Sequence, residues 1–259
     1  MIITVAQLEV FLLVLARIAG IFIQAPILSA RSIPTSFKTG LAIWMALTLC
    51  FVIPVPKTLP VTSLEFILAL INEVLIGFLI GFVCNLIFAA VQAAGDIMDL
   101  QMGLSVAQYL APETGAVATL VGRLFFYTAL MTFLIVDGHH LILSTLAQSF
   151  RALPIAGMAH LSNGRLMAQL IDLIIKFWTI AIQLAAPAVL LIFLSDFAFG
   201  LVSRAAPQVN VFMLGFQVKP ALGLYAILMS LPLLVRHVVN LVGVMAEEAL
   251  KLYVTLGPR

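Results

Sequence analysis

Residues 64–94 read LEFILALINEVLIGFLIGFVCNLIFAAVQAA. From Val74 to Gly95 the run carries no charge, which exceeds the roughly 18 apolar residues that mark a membrane-crossing helix. A backbone in hydrocarbon must satisfy its own N–H and C=O groups, so a single chain segment of this length and composition is a helix. Gly77 and Gly81 stand at small-xxx-small spacing, which lets another backbone approach closely. That neighbour is either a helix of the same chain or one of another subunit, and the spacing does not choose. Asn85 and Gln92 follow seven residues apart on a similar face, available for hydrogen bonds between helices.

The rest of the 259-residue chain has the same character. Hydrophobic residues make up 63% and charged residues 9%, against about 25% charged in soluble domains. So few charges cannot cover a folded surface in water, and lipid or protein partners must. A net charge of +2, with basic residues dispersed along the chain, speaks against a nucleic-acid partner. Cys50 and Cys84 lie in apolar stretches without CxxC spacing, so neither a disulfide framework nor a zinc site is expected. Glu9 and Arg17 interrupt the first apolar run, which reads as a retained helix.

Further helical segments are expected at Val5–Ala25, Thr39–Ile53, Ala118–Val136, Leu166–Gly200 and Ala221–Met245, with a short helix over 139–151. The fold class is all-α, one domain over 1–259, with prolines at the connections: Pro26, Pro34, Pro54, Pro56, Pro60, Pro207 and Pro220. Beyond Val74–Gly95, only Thr39–Pro56 and Phe177–Ser195 are charge-free over a full span. Arg17, Glu73, Arg123, Asp172, Lys176 and Arg236 fall in or beside helices, where exposure to hydrocarbon costs about 2.5–3.5 kcal/mol each. Arg17, Arg123, Lys176 and Arg236 are therefore expected to meet groups on partner subunits or to face water. Lys and Arg divide almost evenly between the two sides, so they set no orientation.

Two regions break the apolar pattern. Gly95-Asp96-Ile97-Met98-Asp99-Leu100-Gln101-Met102-Gly103, leading into Ala107–Gly115, reads as irregular backbone: either a functional loop, tolerated near membrane depth only where protein or water surrounds it, or a surface turn outside the bilayer, and the pattern does not choose. Asp96 and Asp99 read as solvated helix-end charges in preference to proton-relay groups. Downstream, Arg204 and Lys219 are candidates to pair with Asp196, and Gln208 and Asn210 to bond backbone groups around Pro207. Arg31, Pro34 and Lys38 faintly echo the order around Arg204. Asp137-Gly138-His139-His140 offers metal-ligating residue types, but adjacent helical positions point about 100° apart, so no metal is expected and the residues start a helix. Without a G-x-S-x-G elbow or an H-E-x-x-H pair, no catalytic constellation is present, and the chain reads as a non-enzyme needing no cofactor.

The run from Gly200 to Phe212, with Gly215-Phe216 and Lys219, resembles the FliR family of flagellar export-gate proteins. Arg17-Ile18-Ala19-Gly20, Pro26, Ile33-Pro34, Lys38, Glu73 with Gly77 and Gly81, Gln101-Met102-Gly103, and Gly138-His139-His140 with Ser149 share in the resemblance, which spans Arg17 to Leu224. It implies a bacterial inner-membrane subunit of the flagellar basal body, with long kinked helical hairpins assembled in a helical pore complex. The implied partners are FliP-like and FliQ-like subunits, FlhB-like and FlhA-like proteins beside them, membrane lipid, and unfolded flagellar substrates. Virulence type III secretion proteins are close relatives of this family. The resemblance also implies a pore plug at Ser105, Val106, Ala107, Gln108, Tyr109, Leu110, Ala111, Pro112, Glu113, Thr114 and Gly115. Within it, Tyr109 and Leu110 would exclude water, with Gly103 and Gly115 as hinges. Gly77, Gly81, Arg204, Pro207, Gln208, Asn210, Phe212 and Lys219 are the expected packing residues. The competing reading is a proton-coupled transporter of small solutes built on Glu73, Asp96, Asp99 and Asp196.

Overall fold

The computed structural model describes residues 5–26, 28–29, 33–53, 60, 62–105, 119–157 and 164–257. Among them are helices α1 (Val5–Gln24), α2 (Thr35–Val52), α3 (Ser63–Met102), α4 (Leu120–Ile135), α5 (Gly138–Ala152), α6 (Gly164–Ala205) and α7 (Val211–Leu256), and no strand. The chain is all-α. Five helices, α1, α2, α3, α6 and α7, are long and apolar enough to cross a membrane.

Three helices outrun the expected boundaries. α3, α6 and α7 contain 40, 42 and 46 residues, and at about 1.5 Å per residue each is roughly 60 Å or longer, twice the hydrocarbon thickness of about 30 Å. Gly95–Gly103, expected to be irregular, is mostly the last two turns of α3. Pro220, expected to bracket a connection, lies inside α7 together with Pro232, as Pro187 lies inside α6. A proline deletes one backbone hydrogen bond, yet apolar surroundings offer the chain no competing partner, so the helix continues.

Local chemistry sets the ends of these helices. Thr62 and Glu65 form a reciprocal capping box at the start of α3: Thr62 Oγ1 accepts from the Glu65 amide and a Glu65 carboxylate oxygen accepts from the Thr62 amide, both at 3.3 Å. At its other end Gly103 adopts φ +78. There the Leu104 amide reaches the Asp99 carbonyl and the Gly103 amide the Leu100 carbonyl, each at 3.2 Å. This is a Schellman stop, which favours glycine because the left-handed conformation crowds a Cβ. Asn210 caps α7, its Oδ1 accepting from the Met213 amide at 3.2 Å.

The helices divide into two compact units: residues up to 87, 137–173 and from 242 onward form one, and residues 88–136 and 174–241 the other. In the first, α1 packs on α2 and on the amino-terminal half of α3. In the second, Phe88 of α3 meets Phe126 and Phe133 of α4 edge-on, with ring centres 6.1 and 5.2 Å apart. α6 and α7 reverse direction there through residues 206–210 and form an antiparallel hairpin, as the contact between Asp196 and Lys219 requires. Much apolar surface points outward. α2 buries only Ala42, Met45 and Ala46, while Trp44, Phe51, Phe193, Leu194 and Phe197 are exposed and need lipid or protein cover.

Candidate functional sites

α1, α3 and α5 bring one cluster of motif residues together in the first unit. Gly20 and Gly77 are where the α1 and α3 backbones nearly touch: a Cβ on Gly77 would run into the Arg17 carbonyl, and one on Gly20 into the Val74 carbonyl. Gly81 meets Ile21 and Gln24 one turn on. This close approach places Arg17 opposite Glu73, both fully buried. Arg17 Nε donates to Glu73 Oε2 at 2.6 Å, Nη1 to Ser149 Oγ at 3.1 Å and Nη2 to the Leu153 carbonyl at 3.0 Å. The guanidinium carbon also sits 4.2 Å from the centre of the Phe150 ring. Glu73 Oε1 accepts from the Ala156 amide at 3.1 Å, and Ala156 holds φ 62 to present it, a conformation costly for a residue with a Cβ. Arg17 therefore needs no group from a partner subunit, contrary to expectation. Its counter-charge lies on α3 of the same chain. Asn85 reaches Gln24 Oε1 at 3.3 Å along the same seam.

The second cluster is a cavity of about 390 Å³ in the second unit. Gln101, Met102, Gly103, Gly200, Phe212, Gly215, Phe216 and Lys219 line it, with Leu100, Asp196, Phe199, Ser203 and Val211. Motif residues more than a hundred positions apart thus share one wall. Lys219 Nζ lies 2.7 Å from Asp196 Oδ1, with side chains 28% and 43% exposed. Lys219, and not Arg204, supplies the pair. Gly103 faces the Phe216 ring, and Gly223 leaves space for the Met102 side chain, which a Cβ there would strike. Arg204, Pro207, Gln208 and Asn210 are exposed and do not line the cavity, whereas Phe212 is exposed at its rim. They cluster at the turn beside the cavity, and Asn210 bonds backbone as a helix cap.

Asp96 and Asp99 overturn their expected role. Asp99 is 1% exposed, and its Oδ2 accepts from the Val121 amide at 2.9 Å, in the first turn of α4. Asp96 Oδ1 accepts from Thr119 Oγ1 at 2.5 Å, and Thr119 in turn caps the Gly122 amide at 3.0 Å. The two carboxylates of α3 dock the amino terminus of α4, where free N–H groups and the helix dipole favour negative charge. They are not solvated helix ends. Gly95 stands against Gly122, so the two helices approach closely at this point. A pattern of acids one turn apart, followed by a Thr that opens an apolar run, was the available signal.

Of the expected plug, Ser105 is described and buried, and Val106–Gly115 lie outside the described residues. Arg123 and Arg236 are exposed on their helices. Asp137, His139 and His140 come together at the start of α5, with one ligand atom from each within 4.8 Å of the others.

A family model described as bacterial export proteins, family 1, matches residues 8–245. The chain is 30% identical to the flagellar biosynthetic protein FliR of Bacillus subtilis (strain 168) over 248 residues, 95% of each chain. It is 33% identical to the FliR of Escherichia coli (strain K12) over 220 residues, 85% of this chain and 83% of that one. It is also 28% identical to the Yop proteins translocation protein T of Yersinia pestis over 213 residues, 82% of each. With helices able to span a bilayer and likeness along nearly its whole length, the chain is an inner-membrane protein that belongs to family 1 of the bacterial export proteins.

Proposed function

We propose that the chain is a subunit of a flagellar type III export gate, which forms with FliP-like and FliQ-like subunits the channel for unfolded flagellar proteins, beside FlhB-like and FlhA-like partners. The observation that carries this reading is full-length likeness to flagellar biosynthetic proteins, 95% of both chains in one case. The geometry supports it in two ways. Outward apolar side chains such as Trp44, Phe193 and Phe197 call for cover that the described residues do not supply. Of the carboxylates on which a proton-coupled transporter would depend, Glu73 is held by Arg17, and Asp96 and one oxygen of Asp99 by the start of α4. Co-purification of this chain with unlike membrane subunits in a fixed ratio is the expected result; a monodisperse chain that transports solute alone would overturn the reading.

In this gate the segment Ser105–Gly115 is the plug. A pore wide enough for an unfolded chain must be closed at rest, and Tyr109 and Leu110 supply the apolar groups that exclude water from a constriction. Gly103, which already stops α3 in a left-handed conformation, is one pivot and Gly115 the other. Deletion of Tyr109 to Thr114 is expected to leave the complex assembled and to raise its resting conductance in planar bilayers. Wild-type conductance from an assembled deletion variant would remove the plug role.

A further inference from the structure

We propose that Asp137, His139 and His140 bind a divalent first-row transition-metal ion, of the zinc, nickel or copper kind. Asp137 Oδ1 lies 3.4 Å from His140 Nδ1 and 4.0 Å from His139 Nε2. In a tetrahedral site with metal–ligand distances near 2.0–2.1 Å, ligand atoms stand about 3.4 Å apart. One edge already has that length, and rotation of exposed side chains closes the others. The expectation that neighbouring histidines diverge fails here because both rings turn to the same side: their centres are 4.2 Å apart and their planes tilted by 36°.

The backbone supports the same reading. Asp137 occupies the N-cap position of α5, where an aspartate ordinarily accepts from a helix amide and gains about 1 kcal/mol. Its side chain makes no such bond, and its φ is 56. It forgoes the cap and holds a left-handed conformation while its carboxylate faces two imidazoles. Two nitrogen ligands with one carboxylate select borderline ions over magnesium and calcium, which want oxygen shells. Side-chain exposure of 41% to 72% leaves the remaining positions to water, which makes an exchangeable site and not one on which folding depends.

The test uses the detergent-solubilised complex containing the full chain, without a polyhistidine tag, and Co²⁺ as the probe. Visible d–d absorption saturating at one ion per chain, displaced by Zn²⁺ but not by Mg²⁺, is the expected result. His139→Ala and His140→Ala each weaken binding at least about tenfold, the lower bound for losing even a supporting group. Asp137→Asn, which changes a single side-chain atom, weakens it as well and serves if a histidine variant fails to fold. No spectral change in the wild type, or equal binding by wild type and Asp137→Asn, overturns the site and leaves an ordinary surface aspartate–histidine pair.

Discussion

The Arg17 cluster and the cavity around Lys219 use the same elements, a cation, a carboxylate, aromatic rings and permissive glycines, in opposite ways. At Arg17 three donors of the guanidinium are met, both oxygens of Glu73 are met, and no water reaches the pair. At Lys219 a single contact joins two partly exposed chains at the wall of a cavity. A dry pair in which every nitrogen and oxygen has a partner holds a structure in one arrangement, because any alternative strands a charge. A wet, single-contact pair contributes little to stability and is free to exchange partners. The first cluster is a fastener for α1, α3 and α5. The second is a surface on which something else can act.

Removing one side of the dry pair is the strongest way to break this contrast. Glu73→Ala leaves Arg17 charged and buried, and a loss of about 3–5 kcal/mol is expected. Protease resistance and thermal melting of the detergent-solubilised protein measure it, and Arg17→Met with Glu73→Leu together should recover much of the loss. An equal effect from Glu65→Ala, on the exposed first turn of α3, would refute the fastener.

Gly77→Val tests whether close backbone approach, and not the ion pair alone, sets the seam. Overpacking against the Arg17 carbonyl is expected to cost about 1–3 kcal/mol, read from the same melts, while Gly40→Val, where a Cβ meets nothing within 4 Å, stays near zero.

Asp99→Ala removes the buried acceptor for the Val121 amide. The loss is expected near 1–2 kcal/mol, localised as faster amide exchange in the first turn of α4. Uniform exchange along the chain would remove the docking role.

Lys219→Ala has the smallest expected effect on stability, under about 1 kcal/mol after solvent screening. Assembly yield or export should nevertheless fall, which separates the cavity from the fastener. A stability loss as large as that of Glu73→Ala would erase the distinction between the two regions.

Read alone, the sequence settles what depends on composition and run length. An apolar chain with 9% charge must be a membrane protein, and charge-free runs of bilayer length must be helices, because hydrocarbon allows nothing else. The ends of α3 were not read from it: the Thr62–Glu65 box was not recognised, and Gly103, which stops the helix, reads as part of irregular backbone because Asp96 and Asp99 interrupt the apolar run. Pairing was legible only between neighbouring segments, as for Lys219 with Asp196 and for Asn210 with the backbone; between distant segments it was not. Arg17 and Glu73 are 56 positions apart and Arg17 and Ser149 are 132 apart, and nothing local distinguishes a charge awaiting a partner subunit from one whose partner is in the same chain. The same holds for Asp99, whose acidity looked like exposure until α4 was placed against it. For His139 and His140, helical periodicity predicted divergence, and side-chain rotation at the first turn of α5 brought the rings together. Helix existence follows from solvent and period; pairing follows from three-dimensional packing, which brings distant residues into hydrogen-bond contact and which no single segment encodes.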